Sequence, residues 1–144
     1  MEQSIVIKNL ANILEQSNIS YHFDASTSVF IHGIDFEMDD IDIVFMYSER
    51  EKVKEVFKDY KMSLSERVCE IGLEYFFIEV EGQQVHCLFY ESSKAINQDE
   101  FNKDAEVLLI DGQKMMVQSL EFYLKYSRDK QKLKPRIREY LAQR

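Results

Sequence analysis

Charged and apolar residues alternate in the segment Asp40-Ile41-Asp42-Ile43, and no other feature constrains the fold of this chain as strongly. In an extended strand, side chains two positions apart point to the same face. Asp40 and Asp42 are therefore predicted to stand side by side, while Ile41 and Ile43 enter a core. Two carboxylates ~6–7 Å apart repel by roughly 2–3 kcal/mol at an effective dielectric constant of about 20. A bound divalent cation turns this repulsion into attraction, so the alternation predicts a metal site on the acidic face.

The same acidic residues also fit a simpler interpretation. Asp35, Glu37 and Asp39 precede the pair Asp40 and Asp42. In an acidic protein such a run often forms a solvated loop that leads into a strand. The metal-site interpretation therefore depends on the elements that surround the run.

A strand, a turn and a helix start are predicted upstream of the acidic segment. Tyr21–Phe23 has the composition of a short strand, and Ser26 or Thr27 suits the N-cap of a following helix. Val29–His32 is expected to form that helix, and Gly33 to end it. Backbone N–H groups at a helix start are well suited to bind phosphate.

This order of elements resembles the nucleotidyltransferase superfamily related to DNA polymerase β, in its small single-domain forms. In that family a strand leads into a Gly-Ser or Gly-Gly turn, a short helix follows, and a strand carries Asp-x-Asp. The resemblance implies that Ser26 is the serine of the turn and binds nucleotide. It also implies that Asp40 and Asp42 bind the metal ion and act in catalysis. Ala25 stands where the family has glycine, which narrows the room for the backbone to approach a triphosphate.

The resemblance extends to a later strand, on which family members commonly carry a third carboxylate that helps to hold the catalytic metal ion. The matching strand is Gln83–Tyr90, and the catalytic position falls on His86. Imidazole suits Zn²⁺ or Mn²⁺ better than Mg²⁺. Three alternatives stay open: a metal ion other than the implied Mg²⁺, such as Mn²⁺; a nearby acid, Glu79 or Glu91, in place of the third carboxylate; or weakened or absent transfer.

The C-terminal end of the chain is basic, although the chain as a whole is acidic. Eight basic and two acidic residues lie between Lys125 and Arg144, so this segment carries +6 while the whole chain carries −8. By the resemblance, Arg128 and Lys130 bind the β- and γ-phosphates of a nucleotide. The alternative is that they solvate the exposed face of a final helix. Duplex nucleic acid is disfavoured as a partner, because the net charge repels a polyanion.

Composition predicts one domain over residues 1–144. Hydrophobic residues make up 45% of the chain, enough for a sizeable core, and no linker or repeat divides it. No apolar stretch approaches the ~20 residues of a membrane span, and the first residues lack the basic character of a signal peptide. We therefore expect a cytoplasmic protein without a membrane partner, in which Cys69 and Cys87 stay reduced. The sequence predicts no oligomeric state.

Periodicity predicts an α/β (α+β) fold in which a mixed β-sheet packs with helices, and the resemblance implies that it is a nucleotidyltransferase-like fold. An apolar stripe from Ile7 to Leu14 indicates a first helix, and Ser48 with Glu51 forms a candidate capping box for a second. C-terminal helices are expected over about residues 119–143, the last one opened by Pro135. Turn dipeptides predict two hairpins: Tyr75–Val80 with Gln83–Tyr90 through Glu81-Gly82, and Val107–Ile110 with Gln113–Val117 through Asp111-Gly112.

These features lead to three hypotheses about function. In the first, the chain binds a nucleoside triphosphate with Mg²⁺ and transfers a nucleoside monophosphate to an unidentified acceptor hydroxyl. In the second, which Ala25 and His86 favour, it is a catalytically impaired relative that serves as a nucleotide-binding or protein-interaction module. In the third, it binds metal without nucleotide.

Overall fold

A mixed β-sheet with helices on both faces forms the body of the protein. The computed structural model describes residues 2–144. Eight strands form the sheet: β1 Tyr21–Phe23, β2 Ile41–Met46, β3 Lys61–Met62, β4 Glu66–Val68, β5 Leu73–Val80, β6 Gln83–Tyr90, β7 Ala105–Ile110 and β8 Gln113–Gln118. Six α-helices accompany it: α1 Glu2–Gln16, α2 Ala25–Ile31, α3 Arg50–Val56, α4 Gln98–Phe101, α5 Leu120–Tyr126 and α6 Lys134–Ala142.

The sheet runs in the order β3-β5-β6-β2-β1-β8-β7, with β4 paired to β5. Strand β2 is parallel to β6, and β1 is parallel to β8, whereas the other pairs are antiparallel. The predicted mixed sheet is therefore confirmed. Both predicted hairpins are also present, and their turn residues have the positive φ angles that two-residue hairpin loops require: +51° at Glu81 and Asp111, and +81° at Gly82 and Gly112.

One face of the sheet is covered by α1 and α3. Leu10 and Leu14 of α1 and Val53 of α3 are fully buried against it. Within the core, the ring of Phe89 stacks on those of Phe45 and Phe76, with centroids 5.2 and 5.5 Å apart. Each fully buried aliphatic or aromatic side chain contributes roughly 1.5–3 kcal/mol, so this covered face is the main source of stability.

Two smaller apolar clusters accompany the main core, the first of them on the opposite face of the sheet. Val44, Leu73 and Leu88 pack with Phe101 of α4. A second cluster joins α2 to α5 and α6 through Val29, Ile34, Leu120, Tyr123, Leu133 and Ile137. The C-terminal helices therefore pack beside α2, and the acidic end of β2 stays open on this face.

Two predicted helix starts are wrong. Helix α2 begins at Ala25, so Ser26 and Thr27 lie inside its first turn and Asp24 occupies the N-cap position. Ala25 has a left-handed backbone, with φ +51°, and the helix begins two residues earlier than a cap at Ser26 would place it. The capping box of Ser48 and Glu51 is absent, because a 3₁₀ turn over Tyr47–Glu49 leads into α3 without a side-chain cap.

Other boundaries follow the expected chemistry. Ser119 caps α5 by accepting a 3.1 Å hydrogen bond from the Phe122 N–H, and Pro135 lies in the first turn of α6 as predicted. Strands β3 and β4 and helix α4 were not predicted, because each spans only two to four residues and none has an apolar period. No helix within residues 2–144 is long and apolar enough to cross a membrane.

Candidate functional site

Four side chains form a row across the open face of the sheet. Asp24, directly after β1, donates its backbone N–H to the Asp42 carbonyl at 3.0 Å, which continues the antiparallel register of β1 and β2. Asp42 is paired in turn with His86 on β6, and His86 with Phe77 on β5. Paired residues on neighbouring strands share a face. The row therefore reads Asp24, Asp42, His86, Phe77.

Asp42 is held in this row by contacts on two sides. His86 Nδ1 lies 3.3 Å from Asp42 Oδ1, and both side chains are about one-fifth exposed, at 22% and 19%. The Asp42 N–H donates a 2.9 Å hydrogen bond to Thr27 Oγ1, and Thr27 is completely buried in the first turn of α2. The turn after β1 thus positions the candidate catalytic strand.

Asp40 lies in a bend one residue before β2, not in the strand itself as predicted. Its side chain remains partly buried and close enough to interact with Asp42. Burial raises the pKa of Asp40, the negative charge of Asp42 raises it further, and His86 opposes the rise. The repulsion expected between the two carboxylates is therefore present although only one of them is in the strand.

Asp24 is a third acid that the sequence analysis missed. Burial raises its pKa to about 6, the Ala25 N–H lowers it, and Asp42 raises it again. Its position directly after a predicted strand was the available signal. Its proximity to Asp42 depends on the register between β1 and β2, which cannot be read from the sequence pattern.

His86 lies in an aromatic setting beside Asp42. Its ring stacks on Phe77 at a centroid distance of 4.4 Å and meets Tyr75 edge-on at 5.0 Å. The buried Nε2 atom has no hydrogen-bond partner in residues 2–144. His86 thus directs Nδ1 toward Asp42, while its Nε2 atom is buried.

The two acids considered as substitutes for a third carboxylate lie elsewhere. Glu91 follows β6 and forms ion pairs with Arg67 and Lys94. Glu79 is exposed on β5, where it is paired with Gln84 of β6. Neither reaches the aspartate pair as directly as Asp24 does.

Ser26, Arg128 and Lys130 line one cavity of about 250 Å³, together with Ala25, Tyr123 and the rest of the loop 127–131. The structure therefore brings together the three residues that the sequence assigned to nucleotide binding. We call this space the basic cavity. It opens beside the turn that follows β1.

Asp129 is the acidic residue of the loop 127–131, and its hydrogen bonds fix the conformation of that loop. Its carboxylate accepts hydrogen bonds from the Tyr123 hydroxyl at 3.1 Å and from the backbone N–H groups of Leu133 and Lys134 at 2.6 and 2.9 Å. The Asp129 carboxylate is thus hydrogen-bonded to the start of α6. Arg128 and Lys130 form no ion pair within residues 2–144, which leaves two cations at the basic cavity.

The donor set fits a magnesium ion that shares its coordination with a substrate. Mg²⁺ takes oxygen ligands and is usually held by one or two carboxylates, with phosphates and water completing its shell. Asp40 and Asp42 supply such a pair. Burial is the main cause of the raised pKa of Asp40, and the negative charge of Asp42, which a bound cation would offset, raises it further. Within residues 2–144, no three His, Cys, Asp or Glu side chains are arranged as a complete metal site.

Solved structures with a similar fold are nucleotidyltransferases. A Thermotoga maritima protein (TM1012), provisionally described as a nucleotidyltransferase, superposes with a TM-score of 0.70 over 99% of this chain and 94% of its own, at 20% identity. ANT(2″)-Ia, solved in complex with adenylyl-2″-tobramycin, gives 0.59 over 86% and 73%, at 14% identity. LnuA, a lincosamide antibiotic adenylyltransferase with bound lincomycin, gives 0.56 over 84% and 83%, at 18% identity.

These likenesses confirm the predicted nucleotidyltransferase-like fold. No protein-family model and no curated protein sequence matches the chain. At identities of 20% and below, the fold is what the comparison establishes. The activity must be argued from the site.

Proposed function

We propose that this protein transfers a nucleoside monophosphate from a nucleoside triphosphate to an acceptor hydroxyl, as a single domain over residues 1–144. The observation that carries the proposal is the neighbourhood of two sites of opposite charge. The aspartate pair, Asp40 and Asp42, lies across the β1 turn from the basic cavity with Ser26, Arg128 and Lys130. A metal–triphosphate complex needs carboxylates to bind its metal ion and, beside them, cations to bind its phosphates.

Each group has a role in the transfer. Arg128 and Lys130 bind the β- and γ-phosphates, and the Ser26 hydroxyl binds phosphate at the turn. Asp40 and Asp42 hold Mg²⁺, or Mn²⁺, which when bound supplies positive charge for the in-line displacement. The acceptor oxygen forms a bond to the α-phosphorus, the bond from that phosphorus to the pyrophosphate oxygen breaks, and the acceptor proton passes to solvent.

His86 positions Asp42 in this proposal. Its Nδ1 contact orients the Asp42 carboxylate, and the buried Nε2 side of its ring keeps water from that part of the site. Adenylyl is the group carried by the tobramycin bound to ANT(2″)-Ia, and LnuA is an adenylyltransferase, so ATP is the first donor to test.

A second candidate is a catalytically impaired protein that binds nucleotide or a protein partner. It is favoured by His86 at the third-carboxylate position and by Ala25, whose left-handed φ of +51° occupies the glycine position of the turn. The two functions differ in their response to His86→Asp. An enzyme built around His86 loses activity with this change, whereas an impaired relative gains activity because the acid is restored.

The test of the proposed function is calorimetric titration with ATP, GTP, CTP and UTP, with and without Mg²⁺ or Mn²⁺. We expect metal-dependent binding of at least one nucleotide and its loss in Asp42→Asn. Asp59→Asn, an exposed aspartate change away from the site, is the matched control and should bind as the wild type does. Absence of binding by any nucleotide in the wild type would refute the proposal.

A further inference from the structure

A second cavity of about 300 Å³ lies on the other side of the aspartate pair. Its lining includes Ser63, Phe77, Glu79 and Gln84, at the β3 edge of β5 and β6. The volume is at the lower end of small-molecule sites. We call it the β5 cavity.

The β5 cavity is connected to the aspartate pair through shared residues. Phe77 lines it and stacks on His86, which contacts Asp42. Gln84 lines it as well, one residue before Val85, which is paired with Ile41 in the parallel register of β2 and β6. Gln84 is therefore on the strand next to β2, whereas Phe77 lies two strands from Asp42 with His86 between them, and neighbouring strands are ~4.8 Å apart.

The two cavities flank the aspartates from opposite sides. In the order β5-β6-β2-β1, the β5 cavity lies beyond β6, and the basic cavity lies beyond β1 at Ser26. Phosphoryl transfer places the attacking oxygen and the leaving group in line on opposite sides of the phosphorus. If pyrophosphate leaves toward the basic cavity, the acceptor must approach from the side of the β5 cavity.

We infer that the β5 cavity is the acceptor subsite and that it takes a small hydroxyl compound with a flat apolar face and a cationic group. The inference rests on the proposed function. Phe77 offers a ring for the apolar face, and Gln84 offers an amide to the hydroxyl. Glu79 is exposed, and its cross-strand partner Lys61 also lines the cavity. Glu79 forms no ion pair with Lys61 or any other cation within residues 2–144, so its carboxylate is available to a ligand cation.

The test uses 2-amino-1-phenylethanol as the probe, because it combines a ring, a hydroxyl and an ammonium group. Binding is followed by amide chemical shifts of the full chain, with Mg²⁺ and α,β-methylene-ATP present. We expect shifts at Ser63, Phe77 and Gln84, and we expect binding in the presence of the nucleotide analogue to be as tight as in its absence. 3-Phenylpropanoate, which replaces the cation with an anion, should bind more weakly.

Two variants and one control assign the contacts. Glu79→Gln should weaken probe binding about threefold to fivefold, as expected for one exposed charge pair. Phe77→Leu should weaken it about threefold through loss of the ring face. Glu106→Gln, an exposed change on β7 at the far edge of the sheet, should leave probe affinity unchanged.

The outcomes separate this inference from the proposed function. Shifts that map elsewhere, displacement of the probe by the analogue, or equal affinity in Glu79→Gln and Phe77→Leu would overturn the acceptor subsite while nucleotide binding stands. If the analogue does not bind but the probe still maps to Phe77 and Gln84, the proposed function fails, and the β5 cavity is then a small-molecule site with no role as an acceptor subsite.

Discussion

Strands β2 and β6 present two very different faces, because alternate residues of each strand point to opposite sides of the sheet. On the covered face, six of the seven alternate residues are completely buried: Ile41, Ile43, Phe45, Val85, Cys87 and Phe89. The exception is Gln83 at the start of β6, which is partly exposed. On the open face, Asp42 and His86 lie beside the apolar pair Val44 and Leu88 and remain partly exposed. The covered face is continuous and apolar, whereas the open face brings acids together and leaves a buried imidazole nitrogen unpartnered.

The protein thus separates the residues that stabilise the fold from those of the candidate site. The covered face buries apolar surface against α1 and α3, which stabilises the fold. The open face holds carboxylates whose proximity costs free energy in the absence of a cation, a cost that enzymes commonly retain at their sites. We therefore expect substitutions on the covered face to reduce stability, and substitutions of the acids on the open face to reduce ligand binding.

The largest expected effect compares Phe45→Ala with Asp42→Asn. Phe45→Ala should lower the free energy of unfolding by about 3–5 kcal/mol, because it leaves a cavity in the covered face. Asp42→Asn should change it by less than about 1 kcal/mol, as most partly exposed substitutions do, while abolishing metal-dependent nucleotide binding. Urea unfolding with calorimetry on the same samples measures both. Similar losses of stability in the two variants would break the comparison.

The second prediction concerns His22, which faces the open side. Burial lowers its pKa from 6.5 to about 4, with the Phe23 backbone and Asp104 opposing the shift. Below pH 6.5 the unfolded chain takes up a proton that the native imidazole resists, so stability falls from pH 7 to pH 4. His22→Phe removes this loss and should gain up to about 3 kcal/mol relative to the wild type over that range.

The measurement for His22 is urea unfolding of both proteins at several pH values. Asp24 acts in the opposite direction, because its pKa is raised to about 6 and its contribution to stability falls as the pH rises. Since Asp24 is present in both proteins, its effect cancels in the difference. A difference that is constant between pH 4 and pH 7 would refute the assigned shift of His22.

The third prediction tests the link between α2 and the site. Thr27→Val leaves the Asp42 N–H without its acceptor and should cost about 1–3 kcal/mol of unfolding free energy. Thr27→Ser keeps the hydroxyl and should cost about half as much. If the bond also positions Asp42, the valine variant binds metal–nucleotide more weakly than the serine variant does. Equal affinities would limit Thr27 to a structural role.

The smallest effect is expected at the turn. Ala25 has a left-handed backbone that costs a non-glycine residue roughly 1–2 kcal/mol. Ala25→Gly relieves this cost but adds entropy to the unfolded chain, so we expect a net stabilisation below about 1 kcal/mol. A melting temperature that rises slightly agrees with this geometry, and a clear fall contradicts it. Ala11→Gly, buried in α1, should instead destabilise.

Several elements followed from local pattern alone. The apolar stripe of α1, the two hairpins and Pro135 at the start of α6 match the structure because each depends on residues close in the chain. The N-cap of α2 was mispredicted because the left-handed turn at Ala25 overrides the preference of serine for the cap. Short strands such as β3 exist only through pairing with β5, and their few residues have no detectable period.

Local sequence was enough to predict the chemical character of the candidate site: Asp40 and Asp42 at the start of a core strand, a serine turn upstream, and the cations Arg128 and Lys130 near the C-terminal end. The tertiary structure alone decided which of these residues meet. It brought Asp24 against Asp42 through the register of β1 and β2. It also placed Ser26 in the basic cavity, beside the loop 127–131, through the packing of α5 on α2. The physical reason is that alternation and charge are local properties of a chain, whereas register and helix packing depend on burying surfaces that are far apart in sequence.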